Sequence, residues 1–259
     1  MFTQADTTYE PICSFTISVR GKKPNAPIFS FLRRNFGFVT LAEIESIFGF
    51  VEQSTLYGGR PFIRPELSER DVRQLNNAGI GLRLPMSNHF VTRKEYDANC
   101  DLLQKYHRKE NSIIVTNDKL AKWIRQDFPL YRLDASVIKN IHTCKQIDQA
   151  LEIYDDVVLP MDTNEKISFL EKIEAKDRII LFANAGCALT CPSKICYASI
   201  SKKNKFDNTP RRDNEISCSR ALKHREQLGM VDFDLIPLME LGFFQFKLLR
   251  PRPFGMTGF

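Results

Sequence analysis

The chain has 259 residues, 43% of them hydrophobic and 26% charged, with a net charge of +6. That composition excludes a disordered chain, and the length suits one domain whose core folds without a staple. No run approaches the roughly 20 apolar residues of a membrane-spanning helix, and Met1 to Glu10 lacks the basic flank and apolar centre of a secretory signal.

Short apolar runs alternate with amphipathic stretches along most of the chain. Residues 1–46 fall outside the alternation and read as an N-terminal extension. The run 47–53 reads as the first strand, followed by the loop Tyr57-Gly58-Gly59-Arg60. Ser68 then caps a helix that carries Val72 and Leu75 inward and stops at Gly79. Residues 80–86 form the second strand, Thr92 opens a helix, and 112–116 is a third, β-branched strand. Leu120, Trp123 and Ile124 give the next helix its i, i+3, i+4 stripe. Strands at 131–138, 157–161 and 178–183 follow, separated by helices at 146–154 and 165–175. A poorly patterned run near 230–233 supplies the seventh strand, 235–241 a short helix, and 243–248 the last strand. Strands alternating with helices specify a parallel sheet through right-handed crossovers. Eight such units close into a (β/α)8 barrel, so residues 47–259 are expected to be a TIM-type barrel with a cysteine-bearing loop at 184–225; because the seventh strand is poorly patterned, an open flavodoxin-like sheet is the alternative.

In such a barrel, function sits on the loops that follow the strands. Those positions hold Tyr57 and Arg60, then Asn88 and His89, Asn117, Lys139, Asn140 and His142, and Asn184. Tyr57, Arg60, Asn88, Asn117, Asn140 and Asn184 are the candidate substrate-binding residues. His89, Lys139 and His142 are candidates for acid–base work. Immediately after the sixth strand comes C-x3-C-x4-C-x21-C, made of Cys187, Cys191, Cys196 and Cys218. Three thiolates on a short loop can surround one ion or one cluster corner, and a fourth completes the shell. Zinc and iron–sulfur are both open at this point. Cys13, Cys100 and Cys144 are isolated and read as core filler. A basic run from Lys202 to Arg225 reads as a solvated insertion or as a contact surface for an RNA backbone.

Four stretches together resemble the collagenase-like peptidase family, family U32: Tyr57-Gly58-Gly59-Arg60-Pro61, the run from Asn184 to Cys196, Cys218-Ser219, and the closing run from Leu238 to Lys247. The resemblance implies a (β/α) barrel with a [4Fe–4S] cluster on the four cysteines, although the spacing here is tighter than the family's. It also implies a role in oxygen-independent hydroxylation of an RNA base or a small aromatic compound, and adds Lys247 to the catalytic candidates. The other readings are a non-catalytic, metal-stabilised scaffold that serves a protein partner, and a metal-dependent hydrolase. The expected location is the cytoplasm.

Overall fold

The structure, a computed structural model, describes residues 12–191, 194–205 and 231–251. Eight parallel strands close into a barrel in chain order, β1 to β8. They are β1 (Ser14–Ser18), β2 (Ile44–Phe48), β3 (Gly81–Leu84), β4 (Ser112–Val115), β5 (Arg132–Ala135), β6 (Asp156–Val158), β7 (Ile179–Phe182) and β8 (Gln245–Leu248). Around them run α1 (Ile28–Phe36), α2 (Glu69–Asn77), α3 (Arg93–Asp97), α4 (Cys100–Lys105), α5 (Asp118–Asp127), α6 (Cys144–Leu151), α7 (Ile167–Leu170), α8 (Cys196–Lys205) and α9 (Ile236–Glu240).

Two strands differ from expectation. The segment set aside as an extension supplies β1, which pairs with both β2 and β8 and so closes the barrel. Its physical basis is a period-2 alternation, with Phe15 and Ile17 on one face and Thr16 and Ser18 on the other. The expected seventh strand near 230–233 is not a barrel strand. Val231 and Phe233 flank one antiparallel bridge between Asp232 and Asn184, while Met230 lies outside the described residues. The reason is geometric: β7 pairs directly with β8, which leaves no place between them. The strand gained at the N-terminus and the one absent near 231–233 offset each other, so the barrel has eight strands.

The strand alternation divides the core in two. Ile17, Ile47, Leu82, Ile113, Leu133, Val157, Leu181 and Phe246 face the helices and form one continuous apolar cluster. Each such side chain, fully buried, contributes about 1.5–3 kcal/mol. The alternate residues face the barrel interior, and there the chain is polar: Thr16, Ser46, Arg83, Ser112, Asp134, Asp156 and Lys247 are all buried. Branched apolar side chains are the usual filling of such an interior. Here apolar filling returns only toward the C-terminal ends of the strands, where Val158, Met161, Ile180 and Phe182 cluster.

Helix starts follow their caps. Ser68 Oγ accepts from Asp71 N, and Asp71 returns the bond to the Ser68 backbone, a reciprocal box that opens α2. Thr92 and Thr143 do the same for α3 and α6, and Asn117 caps α5. The helix expected at 165–175 is shorter, with only Ile167–Leu170 fully helical between two 3-10 turns. No helix among the described residues is long and apolar enough to cross a membrane.

Candidate functional site

A cavity of about 160 Å³ opens at the C-terminal mouth of the barrel. Its floor is the barrel interior, where Phe48, Ile114, Phe182 and Lys247 meet, and its rim carries Ser18, Arg60 and Ser136. Cys187 and Tyr197 form part of its wall.

Beneath the cavity lies an ionic cluster centred on Arg83. Its Nη1 donates to Thr16 Oγ1 at 2.7 Å, and its Nε donates to Ser112 Oγ at 2.8 Å. Asp134 Oδ2 lies 3.0 Å from the same Nε, although neither Asp134 oxygen accepts an aligned hydrogen bond among the described residues. Burial raises the Asp134 carboxyl well above the ordinary carboxylate range, against the lowering effect of Arg83. Lys247 is only 6% exposed, and its Nζ lies 4.4 Å from the centre of the Phe48 ring. Burial, and then the neighbouring Arg83 cation, push its amine far below the usual lysine range. The amine is therefore substantially neutral at a pH where surface lysines are all charged.

The cysteine loop enters from β7. Gly186 N donates to Met161 Sδ at 3.4 Å, which seats the start of the loop on the apolar cluster at the mouth. Cys187, Cys191 and Cys196 all act on the Tyr197 phenol, whose ionisation is opposed first by burial and then by these three sulfurs. Cysteine thiolates suit a soft metal or an iron–sulfur centre by their chemistry. Among the described residues, however, no three His, Cys, Asp or Glu side chains stand close enough together to hold an ion. Cys218, the expected fourth ligand, lies outside the described residues, as do Arg211 and Arg212 of the basic run. Cys13 precedes β1 at the opposite end of the barrel, while Cys100 and Cys144 begin α4 and α6.

Helix α8 has no counterpart in the expected elements, and it reassigns several candidate residues. Asn88 Nδ2 donates to Ser201 O at 2.8 Å and also to Thr55 O and Tyr57 O, so Asn88 is a fully buried staple. His89 Nδ1 lies 3.0 Å from Ser201 Oγ, and burial lowers its pKa. Asn204 Nδ2 donates to Tyr57 O and Arg60 O, each at 3.0 Å. The loops after β2 and β3 therefore hold α8, and with it Cys196, over the barrel mouth. Gly58 permits the close approach: a Cβ there would meet Ser87 O at 2.3 Å.

The remaining candidates divide sharply. Tyr57 is fully buried in the core, its ring 4.6 Å from that of Phe50 and stacked on Phe62. Its apolar surroundings explain why it does not reach the cavity. Arg60 does line the cavity, held by Glu66 and lying 4.1 Å from the Phe50 ring centre. Asn117 is occupied as a helix cap, and Asn184 ties β7 to the end of β8 through Leu249 N and Arg250 O. Asn140 sits at φ 57 and accepts from Lys194 at 2.9 Å. Lys139 pairs with Asp118 at 2.6 Å, and His142 is held by its backbone N–H on Gln146 Oε1. Neither faces the cavity. Of the four catalytic candidates, only Lys247 lines it. Arg83, Asp134 and Tyr197 were missed; a charged residue at an alternate position inside an otherwise apolar strand was the available signal for the first two.

No family model and no curated protein matches the chain. Its fold is similar to that of the solved structure of the U32 peptidase Mk0906, with a TM-score of 0.58 and 11% identity over 96% of each chain. At that identity the likeness is one of fold.

Proposed function

We propose that this chain is an iron–sulfur barrel protein that carries out redox modification, of the oxygen-independent hydroxylation type, on a small aromatic compound or RNA base. The observation that carries this reading is the shared wall of the cavity: Cys187 and Tyr197 border the same space as Lys247, Arg60 and Phe48. A ligand seated there touches the loop that bears the cysteines. A dry cavity of roughly 150 Å³ accommodates benzene, so the space suits one aromatic ring and favours the small compound over a polynucleotide. A [4Fe–4S] centre on Cys187, Cys191, Cys196 and Cys218 would supply one-electron transfer. The chain's own residues do the rest. Phe48 and Phe182 bind the ring, Ser18 and Ser136 offer hydroxyls to its polar substituents, and α8 limits water at the mouth.

The test is metal content after anaerobic purification. The expected result is a broad absorbance at about 400 nm with iron and acid-labile sulfide, lost in Cys191→Ser and retained in Cys100→Ser. Stoichiometric zinc with no such absorbance would replace the cluster by the alternative metal and remove the redox reading. Equal metal content in both variants would overturn the ligand assignment.

A further inference from the structure

Lys247 has a use independent of any cluster. It projects from β8 at the level of Phe182 on one side and Thr16 on the other, inside the barrel and under the cavity. Among the described residues, no hydrogen bond or ion pair reaches its Nζ, which rests on the Phe48 ring. A long polar side chain buried without a partner is costly unless a ligand completes it. The cavity it faces is predominantly apolar, through Phe48, Ile114, Phe182 and Leu249, and Ser18, Ser87, Ser136 and Tyr197 bring hydroxyl-bearing side chains to its wall.

We propose that Lys247 captures a small aldehyde or ketone, about the size of a monocyclic aromatic carbonyl compound, as an imine within this cavity. The nitrogen lone pair attacks the carbonyl carbon and forms the C–N bond, while the carbonyl oxygen gains a proton. That oxygen then leaves as water as the nitrogen gives up its remaining proton, and the C=N bond forms. Nothing is oxidised or reduced, and hydrolysis reverses the step. Such a nucleophile must be unprotonated, and low basicity from burial and a nearby cation is the general route to an active lysine. The charged groups that set this are Arg83 on β3, which opposes protonation, and Asp134 on β5, which favours it. Asp156 and Glu45 act in turn on Asp134, and Arg60, at the rim, is held by Glu66. This activity goes beyond the redox reading and does not depend on it.

The experiment is reductive trapping of the full chain with benzaldehyde and cyanoborohydride at neutral pH, followed by peptide mapping. Each unit of lowered pKa raises the neutral fraction about tenfold, so Lys247 is expected to carry the benzyl group at about tenfold or more the level of any exposed lysine. The preference should vanish in denaturant. Asp134→Asn should speed labelling of Lys247, because Arg83 then opposes its protonation without a counter-charge. Lysine labelling spread evenly over the surface, or a Lys247 that stays unmodified in the folded chain, would overturn the proposal. Either result would leave the metal-content test of the cluster standing.

Discussion

Two buried lysines occupy opposite situations in this barrel. Lys22, after β1, is 1% exposed, and its Nζ donates to Asp71 Oδ2 at 2.8 Å, Glu66 O at 3.1 Å and Lys23 O at 3.2 Å. Asp71 is satisfied in turn by Ser68 N, Ser68 Oγ and Ile28 N. Every polar atom in that corner has a stated partner, and its product is a fixed connection between the entry to α1 and the N-terminus of α2. Lys247 is buried almost as deeply but rests on an aromatic ring and faces a cavity. A buried lysine nitrogen with three acceptors is architecture. One with none is held ready for a ligand, and the rest of the fold offsets its cost.

Replacement of each lysine by methionine breaks or sharpens this contrast. Lys22→Met leaves the Asp71 carboxylate buried without its cation, and such loss costs about 3 kcal/mol. Lys247→Met removes a buried amine that no acceptor among the described residues satisfies and substitutes an apolar side chain of similar length, with an expected gain of about 1 kcal/mol. Urea unfolding of the two variants measures both, and equal losses would erase the distinction. The gain should also depend on pH. Because the folded-state pKa of Lys247 lies below its unfolded value, the unfolded chain binds more protons between the two, and wild-type stability rises with pH across that window. The advantage of Lys247→Met should therefore shrink from neutral toward alkaline pH. A constant difference would mean that Lys247 titrates as an ordinary lysine. A smaller effect tests the Lys22 corner from the other side: Ser68→Ala, which removes the cap of α2, should cost about 1 kcal/mol and leave carbonyl trapping at Lys247 unchanged.

The barrel was legible because strands such as 112–115 and 179–182 are short, β-branched and separated by capped helices. Ser68 and Thr92 marked helix starts by the same reciprocal chemistry that the structure contains. β1 was missed because its alternation of Phe15, Thr16, Ile17 and Ser18 stands outside the main series of helical stripes. α8 was missed because its apolar face is weak, and it is held largely by polar bonds from Asn88, His89 and Asn204 that no periodicity announces. The same bonds explain why polar loop residues made poor site candidates. Asn88, Asn117 and Asn184 are all spent on backbone groups, as buried amides generally must be. Lys247 entered only through resemblance. The charged groups that act on it, Arg83 and Asp134, come from strands far away in sequence, and their meeting is a product of barrel closure.

The most direct measurement is an NMR titration of the lysine side chains with 13Cε labelling, with Lys247 assigned through Lys247→Met. The account predicts one resonance, absent from that variant, that titrates well below the remaining lysines, whose ordinary value is about 10.4. Asp134→Asn should move that midpoint lower still. A Lys247 resonance that titrates together with the exposed lysines would contradict the account, because the amine would then be an ordinary cation with no reason to remain unpaired beneath the cavity.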